Sequence, residues 1–211
     1  MPRETKVPKP TLERLATYFK YLSQIESRNV EAISSAAMEE ATGIHAAQFR
    51  KDLSYFGEFG RPGVGYDVRE LRQRIARILK LETEQRVILI GAGNLGSALA
   101  GYDGLARHSF NILAVFDNNP NKIGRKLWDI EILDVSRLKE VNRELRARIA
   151  ILTVPAGAAQ STTDALVDAG VKVILNFAPT TIRIPEGVFV RNVCFIQELA
   201  VLSYYLTPEN E

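Results

Sequence analysis

The sequence contains one cysteine, and it has no long hydrophobic run. Cys194 alone cannot form an intrachain disulfide or a cysteine-based metal site, which is typical of a protein in a reducing cytoplasm. No apolar run approaches the ~18 residues that a membrane-spanning helix needs. The N-terminus, MPRETKVPKP, has no apolar core after its basic residues and does not resemble a signal peptide. We therefore expect a cytoplasmic protein that uses neither a membrane nor a metal.

Motifs for catalysis are also scarce. The chain lacks H-E-x-x-H, G-x-S-x-G and Walker motifs, and no tyrosine is followed by a lysine four residues later, as a short-chain reductase requires. Its two histidines, His45 and His108, do not fall at the far end of a cofactor cleft. Tyr102 is the one candidate acid, and packing of its ring on a cofactor or in the core is favoured. We expect no catalytic residues.

The charge is distributed unevenly along the chain. Residues 1–80 carry 14 Lys/Arg and 10 Asp/Glu, whereas residues 81–211 carry 13 and 15. The N-terminal part is thus net positive by four and the remainder net negative by two. This makes the N-terminal part the better partner for a polyanion, although a solvated helical surface would have the same charge.

Residues 1–82 have the pattern of a winged helix-turn-helix domain. Apolar residues recur at helical spacing after Thr11, and a short helix over 36–42, capped by Ser34 or Ser35, precedes Gly43. A third helix is predicted over 45–56. The following GEFGRPGVGYDV has four glycines in twelve residues, which predicts a β-hairpin wing, and residues 68–81 return to a helix.

The third helix and the wing are the predicted DNA-contacting surface. Glutamine suits adenine, arginine and lysine suit guanine or phosphate, and hydroxyls suit phosphate. A polar face on a protein-binding module would look the same. The predicted DNA-binding residues are His45, Gln48, Arg50, Lys51, Ser54, Tyr55 and, near the tip of the wing, Arg61.

From residue 83 to 192 the pattern changes to a Rossmann-type α/β domain. The runs VILIGAG, NILAVFD, IAILTVP and VKVILNFA are short and continuously apolar, and helical stretches over 95–107 and 156–169 lie between them. Apolar strands that alternate with helices predict a parallel sheet covered on both faces.

A G-x-G-x-x-G motif after the first of these strands predicts a dinucleotide site. The glycines permit a tight turn, approach of the pyrophosphate and close helix packing, and Asp117 ends the next strand, where it favours NAD(H) over NADP(H). The carboxyl ends of later strands add further candidates. The predicted cofactor residues are Gly91, Ala92, Gly93, Asn94, Leu95, Gly96, Asp117, Thr153, Val154, Pro155, Asn176, Phe177 and Ala178.

Two long stretches resemble the Rex family of bacterial redox-sensing transcriptional repressors. They are QFRKDLSYFG with GRPGVGY, over 48–66, and GAGNLGSAL over 91–99; TVP at 153–155 and NFAP at 176–179 continue the similarity. The resemblance implies a homodimer that binds inverted-repeat operator DNA and is released when NADH binds. NADH and NAD⁺ would then be signals rather than reactants.

The resemblance also implies how the rest of the chain is used. Residues 193–211 would carry a C-terminal helix, Gln197–Leu206, that swaps into the partner chain. Tyr102 and the partner's Phe195 would lie at the nicotinamide, and Arg14 near the domain interface. An apolar pocket of these two rings should favour the neutral reduced ring over the cationic oxidised ring.

This chain departs from the family pattern at two positions. Cys194 stands where an aspartate commonly precedes the stacking phenylalanine, and Lys20 stands where an arginine is often seen. A switch contact through that aspartate is therefore missing, and we expect Cys194 to be a buried, inert thiol. Two other interpretations stay open: a small NAD-dependent oxidoreductase with a regulatory head, and a winged-helix protein-interaction module with a structural nucleotide.

Overall fold

The protein divides into an N-terminal unit, Met1–Thr83, and a C-terminal unit, Glu84–Glu211. The computed structural model describes residues 7–60 and 65–206. Arg61, the predicted tip of the wing, lies outside the described residues. The predicted boundary between residues 82 and 83 falls one residue before the observed division.

Helices form most of the N-terminal unit. Its elements are α1 (Lys9–Glu26), β1 (Ala32–Ile33), α2 (Ser35–Thr42), α3 (Ala46–Ser54), β2 (Tyr66–Asp67) and α4 (Val68–Ile78). Apolar side chains of α1, α3 and α4 converge in one core, as the helical spacing predicts. Tyr18 packs edge-on against Phe49 with ring centroids 4.9 Å apart.

The turn between α2 and α3 has the expected caps. The Ser34 hydroxyl accepts a hydrogen bond from the Ala37 N–H at 3.0 Å, so Ser34 and not Ser35 caps α2. Gly43 ends the helix with φ +69°, a left-handed conformation that glycine adopts without a steric penalty. The capped helix and glycine turn fix where α3 begins.

Among the described residues, β2 at the end of the glycine-rich segment does not pair with another part of that segment, whereas the predicted hairpin requires such a pair. β2 instead pairs antiparallel with β1, which precedes α2, in the register Ala32↔Asp67 and Ile33↔Tyr66. Gly65 permits this pairing, because a side chain at its φ of +93° would lie 2.7 Å from the Ile33 carbonyl oxygen.

The C-terminal unit is a seven-stranded sheet with flanking helices. The elements are β3 (Gln85–Ile90), α5 (Asn94–Ala100), α6 (Asp103–Arg107), β4 (Phe110–Asp117), β5 (Lys126–Leu127), β6 (Ile130–Asp134), α7 (Leu138–Leu145), β7 (Ile149–Leu152), α8 (Ala156–Asp168), β8 (Val173–Asn176), β9 (Phe189–Asn192) and α9 (Phe195–Ser203). The strand order is β5-β6-β4-β3-β7-β8-β9, and all pairs except β5–β6 are parallel. The strand order reverses between β3 and β7, where such sheets bind ligands.

Both faces of the central strand are buried. Ile88 and Ile90 pack into one apolar cluster, whereas Val87 and Leu89 pack into another. This arrangement confirms the predicted sheet covered on both sides and explains why its strands are continuously apolar.

The stretch predicted to be helical over 95–107 is helical, but it is not one continuous element. It is two helices, α5 and α6, separated at Gly101 and Tyr102. The Trp128 indole occupies the space beside Gly101, where a Cβ atom would lie 2.3 Å from the ring, and its N–H donates to the Ser97 carbonyl at 3.2 Å. Trp128 lies between β5 and β6, a short hairpin that periodicity does not detect.

The last helix, α9, has no buried residue. Its apolar side chains are exposed, including Ile196 at 76% and Leu199 at 64%. Among the described residues, no helix is both long and apolar enough to span a membrane.

Candidate nucleotide-binding and DNA-binding sites

Three glycines shape the loop between β3 and α5. Gly91 has φ +102°, and a Cβ there would lie 2.6 Å from the Thr153 carbonyl oxygen. A Cβ on Gly96 would lie 1.9 Å from the Gly91 carbonyl oxygen, so only glycine lets α5 pack this close to the loop. Gly93, the N-cap of α5, faces open space. The loop therefore leaves room at Gly93 for a pyrophosphate.

Thr153 at the end of β7 holds this loop in place. Its hydroxyl donates to the Gly91 carbonyl at 2.8 Å, with the Ile90 carbonyl at 3.0 Å, and its own N–H donates to Ile90 at 2.9 Å. The hydroxyl is thus used within the protein, and Thr153 shapes the cleft through the loop.

Asp117 ends β4 beside the glycine loop and is buried. Its Oδ2 accepts from the Ala92 N–H at 2.8 Å and from the Lys122 ammonium at 3.2 Å, and Oδ1 accepts from the Asn119 N–H at 2.8 Å. Burial by itself would raise the pKa of Asp117, but these hydrogen bonds outweigh it and hold the pKa below its ordinary value. The carboxylate is therefore ionised at neutral pH.

The loop, Asp117 and the end of β7 enclose a cleft of about 450 Å³. This volume lies within the range of ligand pockets and suits the adenosine half of a dinucleotide. The cleft is lined by Ile90, Gly91, Gly93, Asp117, Asn118, Asn119, Lys122, Val135, Thr153, Val154, Pro155, Ala158 and Thr162.

Seven of these lining residues were not predicted, and one of them, Ile90, is the last residue of β3. Three belong to the segment after Asp117, and its position at the carboxyl end of a parallel strand was the signal that could have identified them. The others come from the turn before α7 and from α8, and no local motif marks them. The unpredicted residues are Ile90, Asn118, Asn119, Lys122, Val135, Ala158 and Thr162.

Ala92, Asn94 and Leu95 complete the predicted motif around Gly93. The Ala92 N–H is committed to Asp117. Asn94 and Leu95 are the first residues of α5, and Asn94 is exposed. None of these three residues lines the cleft, whereas Gly93, the N-cap of α5, does.

The residues predicted after β8 lie outside this cleft. Asn176 is fully buried, and its amide donates to the Thr180 carbonyl and the Asn192 side chain while accepting from the Ala178 N–H. It therefore organises the loop of which Ala178 is part. Phe177 contacts Phe195 of the same chain, with ring centroids 6.2 Å apart.

Two residues expected at the nicotinamide are exposed. Tyr102 is 61% exposed and precedes α6, and Phe195, the first residue of α9, is 59% exposed. The expectation that Cys194 is buried is wrong, because it is half-buried. It precedes α9, whose side chains pack little against the rest of the unit.

The predicted DNA-contacting side chains gather on and beside α3. Arg50 and Lys51 are exposed, and the Arg50 guanidinium donates to the Ser35 hydroxyl at 2.8 Å. Ser54 is exposed, with its hydroxyl on the Lys51 carbonyl, and Tyr55 is half-buried at the helix end. His45 precedes α3 and pairs with Glu39 at 2.9 Å.

Asp52 is a buried carboxylate in α3 that the sequence analysis did not identify. Oδ1 accepts from Thr11, Arg14 and Gln48, and Oδ2 accepts from Arg14 and Tyr18, at 2.6–3.1 Å. Burial would raise the pKa of Asp52, but these donors outweigh it and lower the pKa. We call these five residues the Asp52 cluster. It joins α1 to α3.

The Asp52 cluster also holds the side chains of two residues for which the sequence predicted a role, Arg14 and Gln48. Arg14 forms two hydrogen bonds with Asp52 inside its own unit, and the hydrogen bond with Asp52 raises the pKa of the guanidinium. The Gln48 amide nitrogen faces Asp52, so one of its N–H donors is already used. Lys20, on the same helix as Arg14, is exposed.

Comparison with known proteins finds two family profiles that match separate parts of the chain. A family profile described as "CoA binding domain" matches residues 82–180, and one described as "Putative DNA-binding protein N-terminus" matches residues 6–54. A redox-sensing transcriptional repressor Rex from Carboxydothermus hydrogenoformans is 45% identical over 94% of this chain and 96% of its own length. The chain belongs to the Rex family. A Rex from Chloroflexus aurantiacus is 41% identical over the full length of both chains.

Solved structures of the Rex family have the same fold. RSP, a Rex-family repressor, in complex with β-NAD⁺ and operator DNA has a TM-score of 0.90 at 39% identity, covering 95% of this chain and 92% of that chain. RSP in complex with β-NADH has a TM-score of 0.87 at 38% identity, covering 95% and 94%. These matches confirm the predicted winged-helix and Rossmann-type fold class.

Proposed function

We propose that this Rex-family chain represses transcription by binding palindromic operator DNA and is released from it when NADH binds. The observation that carries the proposal is the conjunction of two features in one chain. The C-terminal unit has a glycine-shaped cleft with a buried carboxylate, and the N-terminal unit presents exposed Arg50 and Lys51 on the third helix of a winged helix-turn-helix. NAD⁺ with operator DNA, and NADH, are ligands of RSP, which supports both halves.

Gly93 and Asp117 are the residues that would hold the adenosine half of NAD(H). The open space at Gly93 receives the pyrophosphate, and Asp117 accepts a hydrogen bond from the ribose. The bound dinucleotide acts as a signal, so no catalytic residue is required. A turnover assay with NADH and candidate carbonyl substrates separates this proposal from a small oxidoreductase, which would oxidise NADH.

Tyr102 and Phe195 are the proposed contacts of the nicotinamide ring. Both rings are more than half exposed. An apolar surface favours the neutral reduced ring, because burying the cationic oxidised ring without a counter-charge is costly. NADH can change DNA binding only to the extent that it binds the two conformations differently. With Cys194 in place of the family aspartate, this selectivity does not use a carboxylate at that position.

The exposed helix α9 supports a homodimer. Leu199, Leu202 and Leu206 are each more than 60% exposed, an unfavourable state for an apolar helix in water. We assign this surface to a second copy of the chain, which takes up the helix as the family resemblance implies. Two copies related by a two-fold axis then present two recognition helices to a palindrome.

DNA binding is tested by selecting duplexes from a random library with the full-length protein and measuring affinity for the selected sites against salt. We expect palindromic sites, and affinity that falls steeply with salt. Arg50→Ala and Lys51→Ala should weaken binding, with a shallower salt slope where the contact is to phosphate. Lys139→Ala, at an exposed lysine of the C-terminal unit, is the control. Failure to select any DNA would favour a protein-interaction module.

A further inference from the structure

The carboxylate of Asp117 has little hydrogen-bonding capacity left. A carboxylate offers about four acceptor positions, and three are taken by the Ala92 N–H, the Asn119 N–H and the Lys122 ammonium. One position remains for a ribose hydroxyl. At the ribose end of the cleft, the negative charge of Asp117 is therefore paired with the ammonium of Lys122 and is not isolated.

Lys122 is held at this position by the backbone that follows Asp117. The Lys122 N–H donates to the Asn119 carbonyl at 2.9 Å, and Asn119 is itself tied to Asp117. The turn thus brings the ammonium to 3.2 Å from the carboxylate, with the lysine side chain 37% exposed and that of Asp117 only 8% exposed. An ammonium has three donors and this pair uses one.

The pair cancels the charge that would otherwise repel a second phosphate. Asp117 and Lys122 are the only charged side chains among the described residues that line the cleft. A phosphate on the adenosine ribose would meet a neutral pair, in which the carboxylate repels it and the ammonium attracts it. Whether the cleft rejects that phosphate therefore depends on whether the carboxylate or the ammonium is free to contact it.

We propose that Lys122 is a second specificity-determining residue of the cleft, a latent ligand for a ribose 2′-phosphate that Asp117 keeps occupied. While the carboxylate holds the ammonium, the site takes NAD(H). When a substitution such as Asp117→Asn removes the negative charge, Lys122 donates to a 2′-phosphate through charge-assisted hydrogen bonds, and the site takes NADP(H). This inference rests on the proposed function, since it assumes that the cleft binds a nicotinamide dinucleotide.

The test is isothermal titration of the full-length protein with NADH and with NADPH at fixed salt. Asp117→Asn should raise the NADPH affinity relative to NADH by about tenfold, and Asp117→Asn with Lys122→Gln should lose that gain. Lys122→Gln alone leaves an unpaired carboxylate, so NADPH binding should fall further below NADH binding. Lys126→Gln, at an exposed lysine in β5, is the matched control and should change neither affinity.

The outcomes separate the two proposals. NADPH affinity that is the same in Asp117→Asn with and without Lys122→Gln would overturn the role of Lys122 alone. The single variant Lys122→Gln gives an independent result if Asp117→Asn fails to fold, and an unchanged preference in it would also overturn the inference. Absence of NADH binding by the unaltered protein would overturn the proposed function and this inference with it.

Discussion

At the scale of single residues, two buried aspartates organise the two units. Asp52 collects five hydrogen bonds from α1 and α3, and Asp117 collects three from the segments around the cleft. Both are buried, and both have a pKa below the ordinary value. Sequence pattern identified Asp117 because a strand and a glycine motif precede it. Asp52 has no such context, since its partners lie up to 41 positions away.

Neutralising Asp52 should destabilise the N-terminal unit. Asp52→Asn leaves Arg14 without its charged partner, and breaking a buried pair in this way costs about 3 kcal/mol. Because the pKa of Asp52 is lowered on folding, its contribution is fully present above the unfolded pKa of about 3.9 and is lost as the pH falls through the folded pKa. The difference between variant and unaltered protein should therefore be constant near pH 7 and shrink below about pH 4.

Urea unfolding followed by two probes measures this effect. Far-UV circular dichroism reports on the helices of both units, whereas the fluorescence of Trp128, the only tryptophan, reports on the C-terminal unit. Unfolding of the N-terminal unit is the part of the circular dichroism change that the fluorescence does not share. The variant should shift the first signal and leave the second unchanged. Glu40→Gln, at an exposed carboxylate of α2, is the control. An equal shift at pH 3 and pH 7 would contradict the role of the Asp52 charge.

Substitutions of two glycines in the nucleotide loop should affect NADH binding and protein stability differently. Gly93→Ala places a methyl group in open space, so stability should stay within about 1 kcal/mol while NADH affinity falls at least about tenfold, because the methyl group narrows the pyrophosphate position. Gly96→Ala should unfold the loop, because its Cβ would lie 1.9 Å from the Gly91 carbonyl oxygen. Thermal melts followed by Trp128 fluorescence measure the stability of each variant, and titration with NADH measures its NADH affinity. If Gly93→Ala keeps the full NADH affinity, the pyrophosphate does not lie at Gly93.

At the scale of helices and strands, local pattern predicted long elements well and short ones poorly. α1, α4, α8 and the parallel strands follow apolar spacing that the sequence displays directly. The break between α5 and α6 was missed because it depends on Trp128, 27 positions after Gly101. β1 and β2 were missed as a pair because each has two residues and the pairing skips over α2 and α3. Contacts between distant segments, which spacing does not encode, decide such features.

The exposed face of α9 should be the element that holds the dimer together. Leu199→Glu with Leu202→Glu places charges on that face, and each buried leucine contributes about 1.5–3 kcal/mol. The dimer dissociation constant should rise at least about a hundredfold. Sedimentation equilibrium measures it, with Glu198→Gln on the same helix as the control. A double variant that stays dimeric at the unaltered dissociation constant would show that another surface forms the dimer.

At the scale of the whole molecule, we expect a ligand in the C-terminal unit to control DNA binding by the N-terminal unit. Coupling between two sites is a free energy and is reciprocal, so operator DNA must weaken NADH binding by the same factor by which NADH weakens operator binding. Each unit has its own core.

The most direct measurement is the affinity of the full-length protein for a labelled palindromic operator across NADH/NAD⁺ ratios at constant total dinucleotide. Fluorescence anisotropy at fixed salt gives the operator dissociation constant at each ratio. We predict that it rises by about 5- to 150-fold from NAD⁺ to NADH, and that Gly93→Ala weakens this response without changing operator affinity in the absence of dinucleotide. Equal operator affinity with NADH and with NAD⁺ would contradict redox sensing by this protein.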